Sequence, residues 1–415
     1  ADDFVPANSV ATVQGNATIT VTNDVTMSAG GNHDIDGSLT ISQTGTDGAV
    51  VTTGRTINAE NDVSITADDA DLAAITVQAG TLAVTVTGND MDIDGTVTVT
   101  GGGATFTASG GAGAVISSAG VVITADNDIT VSSTDQADVD SITTVEGNVS
   151  VTAANEVTLG ANTTADWDVD GTLSVTSTGG TTDSTVTSDD AIVSQNDVTM
   201  SGDLVDIDAN VTAQNGNITL TGTNDVDSAA DIAATTGSIT ISVTNAGTAG
   251  ADMVTNAAGS ALSAANDISV TADDVTVGDM TSTATGNVTL TASNDISMLG
   301  DVATTVTQGS MTATAGGNVT IATGKSIDAE NDVTLTATSG GNIVLNNATI
   351  ASTKGDITLS GGQIDGTGGI TATHGDVLLN STNDSLTSTI GATVTATSGS
   401  ITLVSGTYAI TTATS

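Results

Sequence analysis

The sequence contains no cysteine, a single proline (Pro6) and only 1% aromatic residues. The absence of cysteine excludes disulfide bonds and thiolate metal sites. With so few aromatic side chains, a hydrophobic core has to be built from small aliphatic ones. No apolar run approaches the roughly 18 residues that a membrane-spanning helix requires. We therefore expect no membrane span.

Positive charge is also scarce, because Arg55, Lys325 and Lys354 are the only basic residues apart from two histidines. The 48 acidic residues give a formal net charge of -45. Proteins that bind nucleic acids neutralise phosphates with Lys and Arg, so we expect no nucleic-acid partner. Self-repulsion of this size is relieved by dissolved or bound cations. Salt or calcium is therefore expected in the working environment.

The abundant residues are Thr, Val, Ala, Gly, Asp, Asn, Ser and Ile, and no shift in composition marks a domain boundary. The hydrophobic content of 38% is too high for a disordered acidic tail. We predict one continuous domain over residues 1–415. The start, Ala1-Asp2-Asp3-Phe4, is typical of a terminus left by a cleaved signal peptide. The expected location is extracellular or on the cell surface.

Internal repeats are the strongest signal in the sequence. One phrase is Asn-Asp followed by Val or Ile, as at Asn61, Asn127, Asn196, Asn266 and Asn331. A second is Gly followed by Asn, Asp or Ser and an aliphatic residue. From Gly317 onward this second phrase recurs at Gly341, Gly355, Gly375 and Gly399. Such spacing indicates an irregular coil of about twenty residues, within the range of solenoid repeats.

The clearest internal copy pairs residues 54–67 with residues 324–337. The two Asn-Asp phrases inside it, at Asn61 and Asn331, are 270 positions apart, and a basic residue follows the first glycine in both copies. The two stretches are therefore interpreted as descendants of one unit.

Short runs such as Val149-Ser150-Val151-Thr152 alternate aliphatic and hydroxyl residues, which is the period of a β-strand with one inward side. Gly, Asn and Asp between the runs allow sharp corners. An antiparallel sandwich also contains short alternating strands. Repeated phrases at coil-length spacing instead favour an all-β parallel β-solenoid of about twenty coils, in which like residues stack.

A solenoid has two open ends, and each must be capped, covered or paired with another molecule. We expect an N-terminal cap near residues 1–15. No charged side chain follows Asp384, so residues 385–415 are interpreted as an uncharged assembly edge. This predicts a homopolymer that forms through the solenoid ends.

The phrases Gly286-Asn287-Val288-Thr289-Leu290-Thr291-Ala292 and Gly317-Asn318-Val319-Thr320-Ile321-Ala322 resemble the repeats of filamentous haemagglutinin-type adhesins and related bacterial surface exoproteins. The likeness covers most of the chain. It implies a right-handed parallel β-helix on the cell surface, which in some members mediates attachment or biofilm formation. The Asn-Pro secretion signature of the two-partner-secreted members is absent, since Val5 precedes Pro6.

Pairs of acidic residues at positions i and i+2 are candidate metal ligands. Two such carboxylates on a strand point to the same side, where their oxygens suit Ca²⁺. The alternative is a solvated acidic surface that keeps the protein soluble. The candidate calcium ligands are Asp34, Asp36, Asp92, Asp94, Asp168, Asp170, Asp206 and Asp208.

Parallel β-helices also include enzymes that cleave polysaccharides, but three basic residues and four scattered aromatics offer little for catalysis or for stacking sugars. We expect no enzyme. His33 and His374 are interpreted as incidental surface residues, and Trp167 as a corner side chain. The leading hypothesis is an extracellular structural protein that self-assembles into a filament, fibre or surface layer. The alternatives are a β-helical adhesin and, third, a carbohydrate-active enzyme.

Overall fold

The computed structural model describes residues 3–5, 10–12, 14–27, 31–45, 50–160, 166–179, 184–244, 253–304, 308–382 and 393–405. Within these ranges the regular secondary structure is entirely β-strand. No helix of the described residues is long and apolar enough to cross a membrane. The chain divides into two compact units, the N-terminal unit (1–209) and the C-terminal unit (210–415), which are described separately.

In both units, most of the described turns contribute three short strands in a fixed order. A five-residue strand such as Val63–Ala67 is followed by Asp69–Leu72 and then by Ile75–Val77. Each strand pairs in parallel and in register with the equivalent strand one turn later, so that Val63 lies beside Leu82 and Ile57 beside Ile75. We call the three stacks of equivalent strands face 1, face 2 and face 3, in that order. The prediction of a parallel β-solenoid is confirmed.

In the N-terminal unit, face 1 consists of Ala17–Val21, Leu39–Gln43, Val63–Ala67, Leu82–Val86, Ala104–Ala108, Ile129–Ser133, Val149–Ala153, Leu173–Ser177 and the start of Val198–Ile207. Face 2 consists of Val25–Thr26, Val50–Thr53, Asp69–Leu72, Met91–Ile93, Val115–Ser117, Gln136–Val139, Glu156–Leu159, Thr185–Ser188 and the end of Val198–Ile207. Face 3 consists of Ala11–Thr12, His33–Ile35, Ile57–Ala59, Ile75–Val77, Val97–Val99, Val122–Ala125, Ser141–Thr144, Trp167–Val169 and Ile192–Ser194.

In the C-terminal unit, face 1 consists of the start of Ile218–Ser228 and of Ile239–Val243, Ile268–Ala272, Val288–Ala292, Met311–Ala315, Val333–Ala337, Ile357–Gly361, Val377–Ser381 and Ile401–Ser405. Face 2 consists of the end of Ile218–Ser228 and of Met253–Asn256, Asp274–Val277, Ile296–Met298, Val319–Ile321, Ile343–Leu345 and Ile364–Gly366. Face 3 consists of Val211–Ala213, Ile232–Ala234, Ala261–Ala264, Asp279–Ser282, Val302–Thr304, Ser326–Ala329, Thr349–Ser352, Gly369–Ala372 and Val394–Ala396.

The core is made of inward side chains that stack on their own kind from turn to turn. On face 1, Ile65 is followed by Val84, Phe106 and Val131 in successive turns, and all four are buried. Each fully buried aliphatic side chain contributes about 1.5–3 kcal/mol of burial free energy. The expectation of a core without aromatic residues is wrong in detail, because Phe106 and Trp167 are fully buried.

The described residues make about 16 complete three-strand turns, not about twenty. One reason is that turns differ in length: the turn that carries the chain from Val63 to Leu82 is much shorter than the one from Ile239 to Ile268. The other reason is that the Gly phrase occurs at two corners of a turn. The copy at Gly341 precedes a face 2 strand. The next copy, at Gly355, precedes the face 1 strand that begins the following turn.

The internal copies at residues 54–67 and 324–337 occupy equivalent places in their turns. Ile57–Ala59 and Ser326–Ala329 both belong to face 3, and Val63–Ala67 and Val333–Ala337 both belong to face 1. Parts of the predicted N-terminal cap and assembly edge, residues 1–2, 6–9, 13, 385–392 and 406–415, lie outside the described residues. The right-handed coiling of the β-helix that the resemblance implies stays a prediction.

Candidate functional site

The corner between face 3 and face 1 carries a ladder of hydrogen bonds that joins successive turns. At many of these corners, the residue just before a face 1 strand accepts, through its side-chain oxygen, the backbone N–H of its counterpart one turn later. Asn287 shows both roles: its N–H donates to Oδ1 of Asp267 (2.8 Å), and its own Oδ1 accepts from the N–H of Ser310 (2.9 Å). We call this the corner ladder.

The corner ladder accounts for the Asn, Asp and Ser in the copies of both phrases that precede face 1 strands, because these residues offer an acceptor close to the main chain. In the N-terminal unit its members are Asn16, Ser38, Asp62, Thr81, Asp128, Asn148 and Thr172. In the C-terminal unit they are Asn217, Ser238, Asp267, Asn287, Ser310, Asp332, Asp356, Asp376 and Ser400.

Glycine precedes many ladder residues because the turn below lies too close for a side chain. A Cβ at Gly286 would lie 1.9 Å from the backbone carbon of Asn266, and one at Gly375 would lie 2.0 Å from the carbonyl oxygen of Gly355. Both distances are far shorter than a van der Waals contact. At these two positions, stacking therefore requires glycine.

Asparagine replaces this glycine in every third turn along a series that runs through Asn61, Asn127, Asn196, Asn266 and Asn331. Two turns with glycine at this place separate each member from the next. The asparagine amides bond back to the preceding turn: Nδ2 of Asn266 donates to the carbonyl of Thr236 (2.9 Å), and Nδ2 of Asn331 donates to that of Gln308 (2.7 Å). This three-turn period was not predicted, because in the sequence the Gly and Asn phrases look like two separate series.

Inward hydroxyl groups at the end of face 3 satisfy carbonyl groups at the same corner. Ser352 Oγ donates to the carbonyl oxygen of Gly355 (2.8 Å), and Thr304 Oγ1 donates to that of Gly309 (2.9 Å). Thr144 does the same with Gly147 (2.9 Å). These hydroxyl groups are buried, so each hydrogen bond gives a partner to a polar group that would otherwise lie next to the apolar core without one. Sequence reasoning did not identify these residues.

The predicted calcium ligands on face 3 lie in different turns. Asp34 and Asp36 line an open groove of about 560 Å³, where Asn58 Nδ2 donates to Oδ1 of Asp34 (2.7 Å) and the backbone of Gln14 donates to Oδ2 of Asp36 (3.0 Å). Asp168 lies beside Thr143 of the preceding turn.

Asp170 follows the same strand as Asp168, and its backbone N–H donates to Thr144 Oγ1 (3.0 Å). No other predicted ligand pairs with Asp168 in the neighbouring described strands, since Val193 follows it one turn later. The two face 3 pairs are therefore separate candidate sites, each with two carboxylates.

The remaining predicted ligands belong to face 2, where the acidic residues cluster. Asp92 stacks on Asp71 one turn earlier. Partial burial raises the pKa of Asp92, and the carboxylates of Asp94 and Asp69 raise it further. Partial burial, the charge of Asp94 and a hydrogen bond with Asp94 also raise the pKa of Asp71. We call Asp69, Asp71, Asp90, Asp92 and Asp94 the acidic cluster.

Asp206 and Asp208 close face 2 of the N-terminal unit. Asp206 stacks beside Thr187, while Asp208 raises the pKa of Asp189, after the larger effect of burial. Nearby, burial and the charge of Asp140 raise the pKa of Asp138.

Asp140 itself is only 2% exposed. Its Oδ2 accepts from the backbone of Gly120 (2.5 Å), whereas its Oδ1 is buried without a hydrogen-bond partner in the described structure. A buried carboxylate oxygen without a partner is costly, and a nearby cation would reduce that cost.

These positions do not form one site. Among the described residues, no group of three or more His, Cys, Asp or Glu side chains is arranged to hold a metal ion. Calcium binding by the acidic pairs stays a prediction. What the geometry does show is that acidic side chains are concentrated on faces 2 and 3 and at the corners, where neighbouring carboxylates repel each other.

Two of the three basic residues offset this repulsion locally. Lys325 Nζ lies 3.7 Å from Oδ1 of Asp279 and 3.4 Å from Oδ2 of Asp301, and Lys354 Nζ lies 2.6 Å from Oε1 of Glu330. A backbone hydrogen bond from Ser326, with help from Lys325, lowers the pKa of Asp301. Such exposed pairs contribute about 0–1 kcal/mol each.

Two residues interpreted as peripheral lie in the core. His33 is fully buried: the backbone N–H of Val10 donates to Nδ1 (2.9 Å), so Nε2 carries the proton and donates to the carbonyl of Met27 (2.9 Å). Trp167 lies on a face 3 strand, and its Nε1–H donates to the carbonyl of Asp140 (3.0 Å). Both interpretations were wrong because a polar side chain can be buried inside the solenoid when backbone groups form hydrogen bonds with it. His374 is exposed, as expected.

Comparisons with known proteins found no match. No family model matches the chain, and no match to it was found among curated proteins or solved structures. The fold is consistent with β-helix repeat proteins. Function therefore has to be argued from the faces, corners and ends of the solenoid.

Proposed function

We propose that the protein is an extracellular structural element that self-assembles end to end into a cell-surface filament, fibre or layer, as the resemblance to filamentous haemagglutinin-type exoproteins suggests. The observation that supports this is the last described turn. There, Ile401 and Val404 are 45% and 43% exposed, whereas Val377, which stacks against Ile401 one turn earlier, is fully buried.

The first and the last described face 1 strands are compatible in length and in their unpaired edges. In the described residues, Ile401–Ser405 pairs on one side only, with Val377–Ser381, and Ala17–Val21 pairs on one side only, with Leu39–Gln43. Both strands have five residues and present backbone groups that can pair with another parallel strand. End-to-end stacking of copies would continue the same pairing and bury Ile401.

Assembly requires cations in this proposal, because each copy carries a net charge of -45 and copies repel each other. We propose that calcium binds between paired carboxylates such as Asp92 and Asp94 and lowers the repulsion between copies. The role proposed for the protein is mechanical and includes no catalysis.

Electron microscopy of the purified chain over a range of concentrations, with and without millimolar calcium, tests the proposal. Fibres or ordered sheets are expected. Ile401→Glu should raise the concentration needed for assembly at least tenfold, whereas Val145→Glu should leave it unchanged, although Val145 is also an exposed apolar residue (53%). Dispersed particles under every condition would contradict the proposal.

The second candidate is an adhesin, favoured by the open polar groove on face 3 of the N-terminal unit. Asp34, Asp36, Asn58 and Glu60 line this groove and offer side-chain hydrogen-bonding groups to a ligand. Saturable binding of cells or matrix by the unassembled chain, lost in Asp34→Ala, would favour this candidate.

A further inference from the structure

Face 1 differs from the rest of the surface because its outward positions carry no charge. In the described face 1 strands of the N-terminal unit these positions are Thr18, Thr20, Thr40, Ser42, Ser64, Thr66, Ala83, Thr85, Thr105, Thr107, Thr130, Ser132, Ser150, Thr152, Ser174, Thr176, Thr199 and Ser201. In the C-terminal unit they are Thr219, Thr221, Thr240, Ser242, Ser269, Thr271, Thr289, Thr291, Thr312, Thr314, Thr334, Thr336, Thr358, Ser360, Leu378, Asn380, Thr402 and Val404.

Face 1 is therefore a double row of mostly hydroxyl side chains in register. Thr289, Thr312 and Thr334 follow one another directly in three successive turns. Within a row, neighbours are about 4.8 Å apart, and the two rows on each strand are about 7 Å apart. The threonines present a methyl and a hydroxyl group at each position, so the surface is uncharged without being strongly apolar.

The absence of charge discriminates between partners. Faces 2 and 3 carry outward carboxylates such as Asp71, Asp92 and Asp168. A cationic partner would bind those faces in preference to face 1, because opposite charges attract. A second copy of this chain should instead prefer face 1. Two molecules that each carry a net charge of -45 repel each other least when they meet through a face without charged side chains.

We propose that two copies of the chain pair side by side through face 1. Their outward Thr and Ser side chains interdigitate, as between the paired sheets of a steric zipper. Both copies have the same repeat between strands, so every turn can interdigitate at once. This lateral contact is separate from the end-to-end contact and does not depend on it.

The available area is sufficient for such a contact. The face 1 strands of the C-terminal unit alone present on the order of 700 Å² per copy, close to the ~800 Å² that each partner of a standard interface buries. The corner ladder places carboxylates at the margin, among them Asp267, Asp332 and Asp356. We therefore expect pairing to strengthen as added NaCl screens these margins.

A charge placed on face 1 tests the pairing. The triple variant Thr289→Asp, Thr312→Asp and Thr334→Asp puts three carboxylates in one row. Sedimentation equilibrium of unassembled protein, and the mass per unit length of any filaments, should show lateral association at least tenfold weaker than in the unmodified chain. Filament length reports the end-to-end contact and should change less, so the two contacts fail separately.

A matched control places the same charges one face away, in two of the same turns and in the turn just before them. Thr276, Ser297 and Thr320 stack in register on face 2 and are partly exposed, like the three face 1 residues. Changing all three to Asp should leave lateral association unchanged. Equal weakening by both triple variants, or a single-chain mass per length in the unmodified protein at every NaCl concentration, would overturn the proposal.

Cross-linking gives a second readout that does not depend on new charge. Because the chain has no cysteine, Thr312→Cys and Thr320→Cys each create one reactive site. A short bis-maleimide should join two Thr312→Cys copies at least ten times faster than two Thr320→Cys copies. Equal rates would contradict pairing through face 1.

Discussion

Faces 1 and 2 share a turn, a strand direction and an inward side of buried aliphatic residues, yet their outward sides differ. Face 1 presents rows such as Thr289, Thr312 and Thr334, whereas face 2 presents carboxylates such as Asp71 and Asp92. Stacking fixes the inward residue and the corner residue in each turn. The outward residue is free to vary, so its chemistry reports function more directly than the fold does.

The largest effect is expected inside, where the two faces should behave alike. Leu290→Ala on face 1 and Ile296→Ala on face 2 remove fully buried side chains from the same turn. Each should lower the free energy of unfolding by about 2–5 kcal/mol, measured by denaturant titration. Thr289→Ala, on the outward side, should change it by less than about 0.5 kcal/mol. A large loss at only one of the two buried positions would show that the faces do not share one core.

Acidity should separate the two faces. The raised pKa values of Asp69, Asp71 and Asp92 mean that the folded chain binds more protons than the unfolded one between those values and 3.8. The free energy of unfolding therefore falls as pH rises through this window. Thermal unfolding from pH 3.8 to pH 7 should show this slope, and Asp71→Asn should reduce it and stabilise the chain at pH 7.

Asp301 provides a control of the opposite sign. Its pKa is lowered, so its contribution to stability is present above 3.8 and is lost as pH falls through the lowered value. Asp301→Asn should remove stability at pH 7. If Asp71→Asn instead destabilised the chain at pH 7 as Asp301→Asn does, the acidic cluster would not be repulsive.

The corner ladder borders face 1 and should contribute less per residue than the core. Asn287→Ala removes the acceptor for the N–H of Ser310 and should cost about 1 kcal/mol of unfolding free energy. Asn287→Asp retains Oδ1 and should restore most of that loss. Equal losses in the two variants would show that the amide matters for something other than this bond.

The smallest effect is expected for the sparse ion pairs. Lys325→Met removes the contacts with Asp279 and Asp301 and should lower the free energy of unfolding by no more than about 1 kcal/mol. The loss should shrink in high salt. A loss of several kcal/mol that persists in high salt would mean that Lys325 has a packing role.

The sequence predicted the parallel solenoid because period-two alternation and repeated Asn-Asp and Gly phrases are local signals. It overestimated the number of turns because Gly317 and Gly341 precede face 2 strands, whereas Gly355 and Gly375 precede face 1 strands. Which corner a phrase occupies depends on stacking with other turns, and that is a long-range property.

The candidate sites were less predictable. Spacing alone showed that Asp92 and Asp94 point the same way, but it could not show that Asp71 lies one turn below them. The uncharged side of face 1 was visible in the sequence only after the strands had been aligned. The burial of His33 was not predicted because its hydrogen-bond partners, the backbone groups of Val10 and Met27, are brought to it only by the folding of the chain.

The three-turn period of the asparagines also bears on how such a chain changes length. A gain or loss of one three-turn block, for example from Asn266 to Asn331, would return every corner residue to a neighbour of the same kind. A change of one or two turns would break the spacing of two glycine turns between successive asparagines. Length in this protein is therefore expected to evolve in discrete steps of three turns, by duplication of whole blocks.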